Sequence, residues 1–216
     1  MITKIFQFGL DLLFPDRCAG CQKWHTVLCP DCADRLPRAE RADLPENTLA
    51  CLSYNHPTTK RLIYLLKNRG SQAVAEVAAR LMLPWLSELS PAGQPIYLIP
   101  TPATSAKIRR RGYNQALILS EALRRMNTDR QRPIEIKTDW MKKTRSTKDQ
   151  TETKNRYERS RNLNNAFITT SRFQPNPDAV LIVIDDVITT GSTFREISRT
   201  LKKAGGRNIA GLAFCH

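Results

Sequence analysis

The stretch Val180 to Phe194, VLIVIDDVITTGSTF, constrains the fold more than any other. The run from Val180 to Ile184 has no polar face, so a strand built from it must be buried on both sides. Strands of that kind belong to a mostly parallel sheet with helices on both faces, which makes the expected class α/β. The run ends in adjacent carboxylates, Asp185 and Asp186, followed by the turn residues Thr189, Thr190, Gly191, Ser192 and Thr193. Ligands of open α/β sheets bind outside the carboxyl ends of the strands. A helix that opens at this turn presents free N–H groups and a positive dipole end, a ready phosphate site. The hydroxyls add donors, and Gly191 lets backbone approach the anion. Two carboxylates would repel a phosphate, so they must face hydrogen-bond donors or a cation. A sugar with vicinal hydroxyls, together with a divalent metal, meets both demands, and the ligand implied is a phosphorylated ribose. An N-capping aspartate before a threonine-rich first turn accounts for only one of the two acids.

The rest of the chain alternates in a compatible way. Helices are expected over Thr58–Gly70, over Ser71–Leu89 with a possible kink at Pro84, over Tyr113–Met126 and over Ser192–Ala204. Strands are expected at IYLIP, IEIKT, AFITT, VLIVID and NIAGLAF. Pro100 and Pro102 should hold the residues after IYLIP out of helix. The segment Trp140 to Arg161 is polar and basic without an apolar period, and so long a loop before an apolar strand reads as a lid.

Four of the six cysteines lie in CAGCQKWHTVLCPDC, as Cys18, Cys21, Cys29 and Cys32. Two C-x-x-C knuckles in tandem bring four thiolates to the corners of a tetrahedron, the closed geometry of structural zinc. His25 is a substitute ligand or, more simply, part of the hairpin between the knuckles. Cys51 and Cys215 read as small core residues. The cysteine segment is too short for a core of its own, and RLPRAERADLPENTL reads as a linker. Residues 1–50 are therefore expected to hold an N-terminal amphipathic helix, the finger and the linker, and residues 51–216 the main domain. No segment reaches the ~20 apolar residues that cross a bilayer, and no cleavage site follows the opening residues, so a cytoplasmic protein is expected.

A formal net charge of +14 favours polyanionic partners. Single-stranded nucleic acid needs a cationic track with flat groups for stacking. Arg109, Arg110, Arg111, Lys142, Lys143 and Arg145 are the track candidates, with Trp24, Tyr113, Trp140 and Tyr157 as platforms. Lys67 and Arg69 read as a basic helix end that suits the helix dipole.

VLIVIDDVITTGST resembles the phosphoribosyl pyrophosphate motif of type I phosphoribosyltransferases. The tetracysteine start, YNHPTTKRLIYLLKNRG, IPTPATSAKIRRRGYNQALILS, KTRSTKDQ and RSRNLNNAF narrow the resemblance to the ComF family, the amidophosphoribosyltransferase-like competence proteins. The resemblance implies that Asp185 and Asp186 are the catalytic acids, holding the ribose hydroxyls and Mg²⁺. It implies that Thr189 to Thr193 hold the 5-phosphate and that the loop from Pro100 and Thr101 to Thr104 receives pyrophosphate. Arg111, with its neighbours and Lys142, Lys143, Arg145 and Lys148, supplies charge. It also implies a role in DNA uptake with single-stranded DNA and competence-machinery proteins as partners. The acceptor stays open, as does the choice between a transferase, a non-catalytic ligand sensor that binds DNA, and a metabolic phosphoribosyltransferase. A redox use of the C-x-x-C pairs is disfavoured, because two adjacent pairs favour metal.

Overall fold

The structure is a computed structural model that describes residues 16–91, 93–144 and 166–216. The amphipathic helix expected at the N-terminus lies outside the described residues, as do Arg145, Lys148, Tyr157 and the rest of the lid to Arg161.

Helix α1 (Pro30–Asp34) opens directly on Cys29, with proline in its first turn, where no N–H is needed. Strand β1 (Thr48–Leu52) follows and is buried along its whole length. It begins inside the stretch read as linker and straddles position 50. Helix α2 (Pro57–Arg69) ends at Gly70, whose φ of +58° is the left-handed turn that glycine adopts without strain. Helix α3 (Gln72–Leu89) is capped by the Ser71 side chain, which accepts from Val74 N, and runs through Pro84.

Strand β2 (Ile96–Pro100) leads to a helix that the sequence reading missed. The prolines hold the chain extended only to Thr104, whose hydroxyl caps α4 (Ser105–Arg111) by accepting from Lys107 N. Helix α4 buries no side chain, and Ile108 is its one large apolar residue, so it carries no hydrophobic period to read. Helix α5 (Gln115–Met126) starts at the Asn114 cap. Strands β3 (Ile134–Ile136), β4 (Met141–Lys143), β5 (Phe167–Thr169) and β6 (Val180–Val187) precede α6 (Ser192–Lys203) and β7 (Ile209–Cys215).

Five strands form one sheet in the order β1-β7-β6-β2-β3, and every pair is parallel. The apolar run of β6 therefore lies at the centre, between β2 and β7. Helices α3 and α5 pack together over one face, and α6 covers the other. The expected α/β class holds, with helices on both faces and the cysteine cluster at the N-terminal end.

Strands β4 and β5 form a separate antiparallel ribbon. The reading of Trp140 onward as one polar, unordered segment is corrected at its start. Trp140 and Met141 are buried, and Trp140 sits edge-on to both Tyr97 and Phe173, with centroids 5.2 and 5.1 Å away.

Candidate functional site

The register of the central strands brings the acidic pair to a cleft. Pro100 of β2 stands beside Ile184 of β6, so both strands reach their carboxyl ends at the same level. Thr101 N donates to Ile184 O at 2.9 Å, and Asn114 Nδ2 donates to Thr101 O at 3.1 Å. These bonds hold the Thr101–Thr104 loop against the end of β6. The resulting cleft has a volume of about 670 Å³ and is lined by this loop, the acidic pair and the turn that opens α6.

Asp186 N donates to Asp185 Oδ1 at 2.9 Å. Burial pushes the Asp185 carboxyl from an ordinary value of 3.8 up to about 8, and the charge of Asp186 adds to the push. The Asp186 N–H and Lys67 pull the other way. Among the described residues Asp186 Oδ2 makes no hydrogen bond, but Lys67 Nζ stands 3.2 Å from it. Lys67 is thus more than the basic helix end read from the sequence: the last turn of α2 delivers it to the acids.

Gly191 is the N-cap of α6 with φ +69° and has no side chain to satisfy the first-turn N–H groups. The nearest substitute is long: Ser192 N reaches Thr190 Oγ1 at 3.4 Å. A methyl group at Gly191 would sit 2.0 Å from Pro45 Cγ, so the turn passes directly under the segment that precedes β1. Thr189, Gly191, Ser192 and Thr193 line the cleft. Thr190 is outside the lining set, and its hydroxyl lies 2.9 Å from Ser192 Oγ.

The other named residues divide. Thr101, Arg110, Arg111 and Lys143 line the cleft together with Lys107. Pro100 is buried at the end of β2, whereas Arg109 and Lys142 are exposed and outside the lining set. Tyr54, Lys67, Asn114 and Gln115 also line it and were missed as site residues. Buried polar atoms near the cleft mark two of its walls: Thr101 Oγ1 and Gln115 Nε2 have no hydrogen-bond partner among the described residues. The available sequence signal was the Asn-Gln pair of RRRGYNQ, two amides at a helix start.

The four cysteines meet as their spacing required. Their Sγ atoms all lie within 4.8 Å of one another, with Cys18 to Cys29 at 3.7 Å and Cys21 to Cys29 at 3.6 Å. Four thiolates about 2.3 Å from a tetrahedral zinc are separated by roughly 3.8 Å, so the cluster can hold a metal such as zinc. None of the six cysteines forms a disulfide. Burial acts to raise the Cys18 thiol, but backbone N–H groups of Cys29, Cys21 and Gly20 hold it at about 6. The hydrogen bond that the Cys32 thiol donates to Cys29, then burial, pushes Cys32 up to about 12, so metal binding must expel protons. His25 is exposed at φ +65° and outside the cluster. Cys51 and Cys215 are fully buried core residues, and burial raises both thiols. Among the described residues no helix is long and apolar enough to cross a membrane.

No family model matches the chain. It is 28% identical to competence protein F of Haemophilus influenzae over 217 residues, covering 89% of this chain and 86% of that protein. It is 29% and 28% identical to two Escherichia coli proteins named DNA utilization protein YhgH, covering 92% of this chain and 88% of each. A solved structure described as that of the allosteric regulatory enzyme of purine biosynthesis matches with a TM-score of 0.36 at 19% identity. That match covers 65% of this chain and about a quarter, 26%, of the other. Similarity to competence protein F and the DNA utilization proteins along some nine-tenths of the chain, with the four-cysteine cluster at its head, bears out the resemblance to the ComF family that its motifs carry.

Proposed function

We propose that the cleft binds phosphoribosyl pyrophosphate with Mg²⁺, and that the chain is a phosphoribosyltransferase-like protein of DNA uptake that handles single-stranded DNA in the cytoplasm. One observation carries this reading. A single cleft holds two carboxylates at the end of β6, an α6 N-terminus without a side-chain cap, and the Thr101–Thr104 loop. Phosphate, ribose hydroxyls and pyrophosphate each find a matching surface there.

The α6 turn accepts the 5-phosphate through backbone N–H groups and the hydroxyls of Ser192 and Thr193. Asp185 and Asp186 accept from the ribose hydroxyls. Their oxygens are the hard donors that Mg²⁺ takes, and Asp186 Oδ2 meets the Lys67 ammonium, which the metal would displace. The bound Mg²⁺ would neutralise charge on the pyrophosphate. Lys107, Arg110 and Arg111 stand at the wall where that charge grows as pyrophosphate leaves the anomeric carbon. The same acids, next to that carbon, suit an oxocarbenium-like centre. Cys18, Cys21, Cys29 and Cys32 hold structural Zn²⁺ in this reading. The names of the relatives support the DNA-uptake role, and the net charge of +14 supports a polyanionic partner.

Calorimetric titration with phosphoribosyl pyrophosphate and Mg²⁺ tests the cleft. Binding is expected, and Asp186→Ala should weaken it at least tenfold (order of magnitude) with the fold intact, since an aligned charged interaction contributes about 1.5–3 kcal/mol. Equal affinity in the variant removes the assignment. Pyrophosphate release with candidate acceptors then separates a transferase from a non-catalytic sensor. Titration with single-stranded and double-stranded DNA across a salt series reads the partner. A preference for single strands, with a log–log slope near −0.7 per phosphate contact, is expected.

A further inference from the structure

A cation paired with the acidic pair comes from α2, more than a hundred residues away in sequence. Lys67 Nζ lies 3.2 Å from Asp186 Oδ2, an oxygen with no hydrogen-bond partner among the described residues. The pair is sheltered: the Lys67 side chain is 31% exposed and that of Asp186 13%. Sheltered pairs are screened by salt much less than surface pairs, so this contact persists at physiological ionic strength. The root of the lysine is fixed. Leu62, Ile63 and Leu66 are buried on the same helix, and Gly70 closes it against Tyr113, whose ring would lie 2.8 Å from a methyl group there.

We propose that Lys67 is a built-in counter-cation that occupies the metal position on Asp186 in the ligand-free protein, so that free divalent metal is kept out of the cleft and enters only with the phosphorylated ligand. The proposal rests on the reading of the cleft as a phosphoribosyl pyrophosphate and metal site. A divalent ion would need the same oxygen at about 2.0–2.1 Å. An ammonium 3.2 Å from that oxygen and a metal bound to it repel one another, so the two are alternatives. A tethered competitor acts at an effective concentration that a short tether can raise to about the millimolar range. Free metal must outcompete that concentration with only two carboxylates to hold it. A phosphorylated ligand changes the balance, because it adds oxygen ligands to the metal and anionic oxygens for the displaced ammonium. Lys67 and the Thr101–Thr104 loop line the same cleft, so the displaced ammonium remains among the groups that would face pyrophosphate. Lys67 is a positioning residue in this account, and it sets the order in which metal and ligand arrive.

The test is Mn²⁺ binding to the zinc-loaded full chain without phosphoribosyl pyrophosphate, read by the loss of the free-ion electron paramagnetic resonance signal. Wild type should bind Mn²⁺ weakly, and Lys67→Gln and Lys67→Met should bind it about tenfold tighter or more, the ratio that one lost competing contact near 1.4 kcal/mol would give. Lys67→Arg, which restores the cation, should return to the wild-type value. Adding Asp186→Asn to Lys67→Gln should abolish the gain. Unchanged Mn²⁺ affinity in both neutral variants, or a gain that survives Asp186→Asn, would overturn the proposal. Wild-type protein provides a reading that needs no variant. Acylation of Lys67 by an amine-directed reagent, followed by mass spectrometry, should accelerate at saturating Mn²⁺, and unchanged labelling would likewise overturn it. Because the ligand is absent from every arm, failure of phosphoribosyl pyrophosphate to bind wild type would sink the cleft assignment and leave the Lys67 result standing.

Discussion

The surroundings of Asp185 penalise its charged form, first by burial and then by the neighbouring charge of Asp186. Its folded pKa of about 8 stands above an ordinary 3.8, so the folded state binds the proton more tightly than the unfolded chain. The stability this contributes is complete below about 4 and is lost as pH rises through about 8. Asp185→Asn, which cannot ionise, should not share that slope. In metal-free buffer its melting temperature should gain on wild type between pH 5 and pH 8.5, with each kcal/mol worth roughly 2–4 °C in a chain of this size. A gap that stays constant with pH would refute the assignment of the raised pKa to this residue. At this scale the sequence was informative where chemistry follows directly on a buried run. Asp185 and Asp186 were legible because an apolar strand cannot end in two acids without a ligand or partner. Lys67 was not, because nothing local distinguishes a lysine facing a distant carboxylate from one that ends a helix in solvent.

Elements with a long apolar period were legible for the same reason that they are stable. Strand β6 and helices α2, α3, α5 and α6 each present several buried apolar side chains, and all were placed within a few residues. Among the short elements, β3 and β5 were read as IEIKT and AFITT, but β4 and α4 were not. Strand β4 has three residues, and Trp140 just before it is anchored by Tyr97 of β2 and by Phe173, which follows β5. No window of sequence contains those partners. Helix α4 is marked by capping groups, Thr104 at its start and Gly112 at φ +82° after its end, rather than by any apolar stripe. The burial of Trp140 makes it the anchor of the β4–β5 ribbon. Trp140→Ala should cost about 3–5 kcal/mol in chemical denaturation, the usual range for emptying a large aromatic site. It should also raise proteolysis at the β4–β5 ribbon. A loss below about 1 kcal/mol would mean that the ribbon does not depend on this ring.

On the scale of the whole molecule, the finger and the sheet share one interior. Cys18, Val27, Leu28 and Leu36 belong to the same buried cluster as Leu52, Leu62, Leu212 and Phe214. Gly20 lies where a methyl group would meet Cys32 Sγ at 2.7 Å and Thr58 Oγ1 at 3.5 Å, so the first knuckle is pressed onto the start of α2. From the finger the chain returns to the cleft. Ala39 and Leu44 pack with Ala50 and Ala213 against Ile188, two residues beyond Asp186, and Pro45 covers Gly191. The spacing of the cysteines made their cluster legible, but this return path depends on contacts between segments far apart in sequence. Its consequence is that the cysteine cluster, although it lines no part of the cleft, holds one end of the segment that covers Gly191 at the start of α6. Metal binding contributes about 10–16 kcal/mol in isolated finger peptides, comparable to the whole stability of an ordinary domain, about 5–15 kcal/mol. Removing zinc with a chelator that spares Mg²⁺, or by Cys29→Ser, should therefore lower the melting temperature of the main domain as well as unfold the finger. It should also weaken phosphoribosyl pyrophosphate binding about tenfold, an order-of-magnitude expectation for losing about 1.4 kcal/mol of preorganisation at the turn. Pro45→Gly, which leaves the cysteines intact but loosens the cover over Gly191, should reproduce part of the binding loss while zinc content stays at one per chain. Unchanged ligand affinity in zinc-free protein that still holds its sheet would show that finger and cleft are energetically separate, despite the interior they share.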